Sequence, residues 1–278
     1  MAASIAVFAS ACGAHRQLDG ARDLALSGHA QAAYLSVKAA LITLGEGVSG
    51  DARFERLRAL QMAADLLELD LARPGDAAAY FRRIAMEYGG TEAAFSARMR
   101  LGDLLHDKLK DFPAAAGAYL GVVEAFPNHA GADEVQLKAA RTFLDAGNHD
   151  QAICEAEALL LHYPQSSLGP AAQMVAGHAL HLAGKAILAA EALHDVAARW
   201  PSSPEAPIAL VEAGDCAAEA GEEMLAERSY IEALANHPAP RTVQESLARL
   251  RRRVAQTTPQ GFARADAFDY RGARRSAN

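Results

Sequence analysis

The sequence predicts an all-α, right-handed α-solenoid of five to six helix pairs closed by a C-terminal capping helix. Three observations predict it. Pro127, Pro164, Pro201 and Pro238 follow one another at intervals of 37 residues, and a period between 20 and 50 residues marks a stacked array. Gly147, Gly184 and Gly221 keep the same interval, as do Ala152, Ala189 and Ala226, and Ala140, Gly177 and Gly214. Alanine and leucine dominate, aromatic residues are 6% and β-branched residues are sparse, which favours helices over strands.

The elements follow in order. A loose first pair runs from about Ala14 to Leu44, with Ala21, Leu24, Gly28 and Ala33 at the key positions. The segment "GEGVSG", Gly45 to Gly50, reads as a linker and lacks the GK[ST] of a phosphate loop. A second loose pair runs from about Phe54 to Tyr88, where "YGG" replaces the aromatic-proline mark. The third unit offers Gly102, Leu105, Ala115, Tyr119 and Pro127, with one extra residue in its turn. The fourth gives Ala140, Phe143, Ala152 and Pro164; the fifth Gly177, Leu180, Ala189, Leu193 and Pro201; the sixth Gly214, Ala226, Tyr230 and Pro238. Within each unit, glycine ends the first helix in a left-handed turn, and proline stops the second. The small residues Ala140, Gly177 and Gly214, with Ala152, Ala189 and Ala226, let the two helices approach closely. In "PRTVQESLARLRRRVAQ", Val243, Leu247, Leu250 and Val254 make one apolar face, as a cap helix requires.

These units resemble the tetratricopeptide repeat (TPR) family over about residues 14 to 238. The resemblance is specific in the last four units, although the family's tryptophan near the start of the first helix is absent. The period is 37 rather than the family's common ~34, with the extra residues after the proline. This long form, with "YPQS" and "WPSS", is similar to the repeats of bacterial outer-membrane assembly lipoproteins and the Tol–Pal-associated periplasmic coordinator. The resemblance implies a non-catalytic scaffold that binds proteins through the face lined by the first helices.

The two ends carry separate expectations. The segment "ASAC" before Gly13 resembles a bacterial lipobox, making residues 1–12 a truncated lipoprotein signal and Cys12 a lipid-attachment site. The run before Cys12 is short and without Lys or Arg, and Ala9 stands where a lipobox usually has Leu. A start codon upstream of Met1 would supply the missing basic segment. The resemblance then implies an outer-membrane protein facing the periplasm. The competing reading is an apolar start to the first helix, a free thiol and a soluble cytoplasmic adaptor. The array is expected over 13–238, the cap over 239–256 and a disordered basic tail over 257–278. Residues 239–278 carry a charge of +6 and the remaining body −13. One short basic tail on an acidic body is no signature of nucleic-acid binding. No apolar run reaches the ~18 residues of a membrane span.

Catalytic patterns are absent from the sequence: there is no GxSxG, HExxH or Walker motif. An enzyme built on the scaffold is therefore the remote alternative, and no cofactor is expected. Cys154 and Cys216 lie in helical patterns and are expected to be buried. His178 and His181 share a helix face, but no third metal ligand is evident.

Counting from the small residue of each unit places a set of side chains on the partner-facing groove. They are Gln61, Asp65 and Glu68; Met99, Asp103, His106 and Asp107; Glu134, Leu137, Arg141 and Asp145; Met174, His178 and His181; Ile208, Val211, Asp215 and Glu219. Met99, Leu137, Met174 and Val211 recur at one position as an apolar line, which either faces a partner or packs within the array. The acids suit an extended peptide with basic and apolar side chains, or serve only to keep the surface soluble.

Overall fold

A computed structural model describes the backbone of residues 2–257 and the side chains of residues 11–256. The expected tail from 258 to 278 lies outside the described residues. Thirteen α-helices and no strand occur among the described residues. They form six antiparallel pairs and a cap: α1 (Ala2–Leu26) with α2 (Ala30–Leu44), α3 (Asp51–Asp65) with α4 (Pro74–Glu87), and α5 (Glu92–Asp107) with α6 (Phe112–Ala125). Then come α7 (Ala132–Asp145) with α8 (His149–His162), α9 (Gly169–Leu182) with α10 (Ala186–Arg199), α11 (Ala206–Glu219) with α12 (Glu223–Ala233), and the cap α13 (Pro240–Thr257). The chain divides into two compact units at Leu168 and Gly169, each with its own apolar core. Among the described residues no helix is long and apolar enough to cross a membrane.

One alanine position organises every pair. Ala33, Ala77, Ala115, Ala152, Ala189 and Ala226 are fully buried in six successive second helices. One turn further along the same helix stands the side chain that faces the first helix. Where the first helix offers glycine, that side chain is large. A Cβ placed on Gly214 would lie 2.6 Å from the Tyr230 ring, and one on Gly177 would lie 2.6 Å from Leu193 Cγ; Gly102 faces the Tyr119 ring in the same way. Where the first helix offers Ala140, the residue one turn after Ala152 is Ala156, and both are fully buried. At these four crossings glycine faces a large side chain and alanine a small one, as close packing demands.

The turns inside the pairs come in two forms. In the regular form a glycine takes the left-handed conformation, as Gly184 does at φ +74°, and the next amide donates five residues back. Lys185 N donates to Leu180 O, and Glu222 N to Ala217 O, closing a Schellman-type C-cap. The second and third pairs hold one residue more. There Ala72 and Lys110 take the left-handed position, and the following amides, Arg73 N and Asp111 N, donate six residues back to Leu67 O and Leu105 O. In the second pair the extra residue also produces a π-helical turn, Leu66–Asp70.

The recurring proline does more than stop a helix. His129 N donates to Phe126 O, Ser166 N to Tyr163 O, and Ser203 N to Trp200 O. Pro127, Pro164 and Pro201 thus occupy the second position of a β-turn, where their fixed φ is favoured. Thr91 N donates to Tyr88 O in the same way, with Gly89 in the proline position, and the Thr91 hydroxyl caps α5 through Ala94 N. Pro238 departs from the series: α12 ends at Ala233, His237 N turns back to Ala233 O, and Pro238 precedes the cap instead. Val243, Leu247 and Leu250 of α13 are buried, as the apolar spacing requires.

A buried arginine holds the entry to the second pair. Arg56 is 2% exposed. It makes a two-pronged contact with Glu87 at 2.8 and 3.0 Å and donates to Gly45 O. It thereby joins the C-terminus of α2, α3 and the end of α4 in one charge-assisted cluster.

The crossing makes opposite predictions for two glycines. Gly214→Ala should destabilise the protein by about 1–3 kcal/mol through overpacking against Tyr230. Gly117→Ala, whose new Cβ meets nothing within 4 Å, should stabilise it by up to about 1 kcal/mol through helix propensity. Urea unfolding followed by circular dichroism reads both, and a common sign would refute the packing account.

Candidate functional site

The first helices of each unit present the side chains that the repeat count singled out, and the structure shows what they touch. In three places the residue after a small position reaches the residue two before the small position of the next pair in the same unit. Asp65 meets Arg100, whose guanidinium also holds Glu68 at 2.6 Å. Asp103 meets Lys138 Nζ at 2.8 Å. In the second unit His178 Nε2 meets Glu212 at 2.7 Å. A second set runs alongside one turn later: His106 Nε2 lies 2.8 Å from Asp145, and His181 Nε2 lies 2.7 Å from Glu219. These contacts join neighbouring pairs across intervals of 34 to 39 residues.

Two of the acids are also tied inward. The Tyr119 hydroxyl donates to Asp103 at 2.6 Å, and the Tyr230 hydroxyl donates to Asp215 at 2.6 Å. Burial and the adjoining carboxylate push both phenols well above the ordinary tyrosine range. The same two rings press on Gly102 and Gly214. One tyrosine thus packs the helix crossing and anchors an acid on the face.

The groove expectation is corrected in three respects. Leu137 is 4% exposed, and Met99, Met174 and Val211 are half-buried. Leu137 is therefore closed to a partner, and the apolar line packs largely within the array. Asp65, Glu68, Asp103 and Asp215 are not free anionic groups but already have intramolecular partners. Their partners Arg100, Lys138 and Tyr230 were missed, as was Glu212, the partner of His178. The signal for Arg100, Lys138 and Glu212 was present in the sequence: an opposite or complementary charge recurs 34 or 35 residues after Asp65, Asp103 and His178. What remains accessible is a smaller set. Asp107, Glu134 and Glu219 are 66%, 57% and 64% exposed at their side chains; Gln61, Arg141, Asp145, Ile208 and His181 are exposed as well. In the first unit Asp103, His106, Tyr119, Lys138, Arg141 and Asp145 line a shallow cavity of about 220 Å³. Six carboxylates on this face (Asp65, Glu68, Asp103, Asp107, Glu134 and Asp145) stand against three cations (Arg100, Lys138 and Arg141), so the face stays acidic after pairing.

The remaining sequence candidates are placed as follows. Gly177 and Gly214 are buried within α9 and α11, and Ala140, Ala152, Ala189 and Ala226 are fully buried. Cys216 is buried, and burial with the nearby Glu219, Asp215 and Glu212 pushes its thiol up to about 11. Cys154 is exposed, contrary to expectation, because it stands two residues after the buried Ala152 and so points outward. Cys12 is exposed on α1. His178 and His181 turn to separate carboxylates, and no group of three potential metal ligands occurs among the described residues.

The comparisons with known proteins agree with this architecture. A tetratricopeptide repeat family model matches residues 66–130. The apo form of RapI is similar in fold, with a TM-score of 0.56 at 12% identity over 87% of this chain and 72% of that one. The "unusual peptide-binding site" TPR protein YrrB matches at a TM-score of 0.45 and 18% identity, over 68% and 88% of the two chains. MamA from Desulfovibrio magneticus RS-1 matches at 0.47 and 14%, over 73% and 97%. No curated protein matches in sequence. The family match is confined to residues 66–130, and the likeness to RapI shows the fold: an α-solenoid of helix pairs.

The histidine contacts make stability depend on pH. Desolvation pushes the His106 pKa down, but the hydrogen bonds its imidazolium donates to Asp107 and Asp145 outweigh it and hold the pKa above the ordinary 6.5. A raised folded-state value contributes stability that is complete below the unfolded value and lost as pH rises through the folded one. His106→Gln should therefore lower the urea midpoint more at about pH 5.5 than at about pH 8.5. An equal loss at both values would show that the imidazolium contributes nothing.

Proposed function

We propose that this protein is a non-catalytic protein-interaction scaffold that binds an extended segment carrying basic and apolar side chains. The observation that carries the reading is the residual acidity of the first-helix face. Its paired charges are locked between neighbouring repeats, so the accessible Asp107 and Glu134 project from a preorganised surface. Preorganisation lowers the ordering penalty of binding, and accessible acids beside half-buried Met99 suit alternating cationic and apolar side chains. YrrB, described as a TPR protein with a peptide-binding site, is a precedent in fold for this kind of recognition. In the second unit Glu219 and Ile208 offer the same combination.

The finer reading is a lipid-anchored cell-envelope protein, held at Cys12 on the periplasmic side of an outer membrane, that organises a multiprotein complex. It rests on the lipobox resemblance. Ala14, Leu18 and Ala21 of α1 enter the core on the C-terminal side of Cys12 and would remain after cleavage before it. Several acyl chains on that residue would then give a stable anchor, each buried methylene contributing about 0.8 kcal/mol.

Two measurements test the two levels separately. An array of short peptides alternating Lys or Arg with Leu or Phe should bind the full chain more tightly than Glu-containing counterparts. Asp107→Lys with Glu134→Lys should weaken that binding about tenfold or more; unchanged affinity sinks the groove reading. Intact mass after expression in a Gram-negative bacterium, from a start that includes the upstream codons, should show loss of the segment before Cys12 and addition of lipid. An unprocessed Met1 would favour a soluble adaptor.

A further inference from the structure

The side of α5 turned away from the acidic face holds a second surface. At about 100° per residue, Leu101 leaves α5 nearly opposite Met99, Asp103 and His106, and Arg98 leaves it about a quarter to a third of a turn from them. They form the floor of a furrow between the second helices α4 and α6, with a volume of about 640 Å³. Its walls are Ala85 and Met86 from α4 and Gly117, Ala118, Gly121 and Ala125 from α6. Met86 is 83% exposed, a large apolar side chain that nothing within the first unit covers.

Gly117 and Gly121 lie one turn apart in the middle of α6, where each lowers helix stability relative to alanine. Gly102 and Gly214 have an internal reason to be glycine, since a ring occupies the place of their Cβ. At Gly117 and Gly121 a Cβ would meet nothing within 4 Å. The missing side chains open the furrow outward and let another backbone come close to α6.

The charges at the furrow decide what fits it. Arg56, Arg58, Arg73, Arg83 and Arg100 of the same unit all close on carboxylates. Among the described residues Arg82 has no such partner. Arg98 reaches only the Gly121 carbonyl at 3.1 Å and the face of Phe126. Glu124 is the single acid among the lining residues. An apolar trough bordered by two uncompensated guanidinium groups is complementary to an apolar helix with carboxylates on its flank.

We propose that the furrow between α4 and α6 is a docking site for an amphipathic helix of a partner protein. The helix would lay a small-residue and leucine stripe against Gly117 and Gly121, with acidic residues reaching Arg82 and Arg98. The site is independent of the acidic face, takes a ligand of opposite charge, and would let one scaffold hold two different partners on opposite sides of α5.

The test uses the full chain and a display library of helical 18-residue peptides with a Leu/Ala stripe and flank positions drawn from Glu, Gln and Lys. The wild-type protein should enrich Glu-flanked peptides. Arg82→Glu should weaken a selected peptide about tenfold or more, and a Glu-to-Lys exchange in the peptide should restore its binding to that variant. Gly117→Leu should abolish binding without lowering the melting temperature, because the added side chain enters open space. Thermal melts of both variants separate lost binding from lost folding. The proposal is overturned if no peptide is enriched, if enrichment ignores flank charge, or if selected peptides bind Gly117→Leu normally. A concentration-dependent dimer of the wild type that Gly117→Leu abolishes would name a second copy as the occupant and overturn it equally.

Discussion

The close crossing of the two helices within each pair is the constraint on which the rest depends. At the crossing, glycine in one helix receives a tyrosine ring or a leucine from the other, as at Gly214 with Tyr230 and Gly177 with Leu193. One turn before the incoming side chain, an alanine is fully buried in every pair. This geometry fixes the distance between the helices, and the turns and connectors then have little freedom. Within the first unit the β-turn on Pro127, and within the second that on Pro201, leads one pair into the next in the same hydrogen-bonded form. Within each unit that regularity lets a residue in one pair meet its counterpart 34 to 39 residues later.

From that regularity follows the electrostatic organisation of the surface. Asp65 with Arg100, Asp103 with Lys138, and His178 with Glu212 are one relationship repeated. Surface pairs of this kind contribute little each, typically ~0–1 kcal/mol. Their larger consequence is orientation: they hold side chains in place, while Asp107, Glu134 and Glu219, in contact with His106, Lys138 and His181, stay more than half exposed. Tyr119 and Tyr230 connect the two levels, since each ring packs the crossing while its hydroxyl holds an acid on the face. In the first unit the opposite side of the array is apolar and cationic around α6, so the two sides of α5 offer surfaces of contrasting chemistry.

Much of this was legible in the sequence. The period, the helix pairs, the cap and the small residues at the crossing all rest on local rules of propensity, turn chemistry and spacing. The site was legible only as positions. Counting placed Asp103, His106 and Asp215 on the first-helix face, but it could not show that Tyr119 and Tyr230 reach across to Asp103 and Asp215, or that Arg100 and Lys138 occupy the neighbouring acids. Leu137 shows the same limit from the apolar side: its register is that of a groove residue, yet it is 4% exposed. Cys154 was placed by residue type rather than by register; it lies two positions beyond a buried alanine and so faces outward.

The amino-acid sequence by itself determined the fold class, because a repeated helix pair needs only one face of each helix to be apolar, a residue able to turn, and a residue unable to continue a helix. Those requirements are local, and each recurrence at 37 residues strengthens the same inference. Tertiary structure alone decided which side chain each charge meets and how far it stays exposed. Pairing depends on side-chain reach between helices that are distant in sequence. The furrow beside Gly117 and Gly121 belongs to the same category. A glycine in a helix has one appearance in sequence, whether a tyrosine ring or open space stands where its side chain would be.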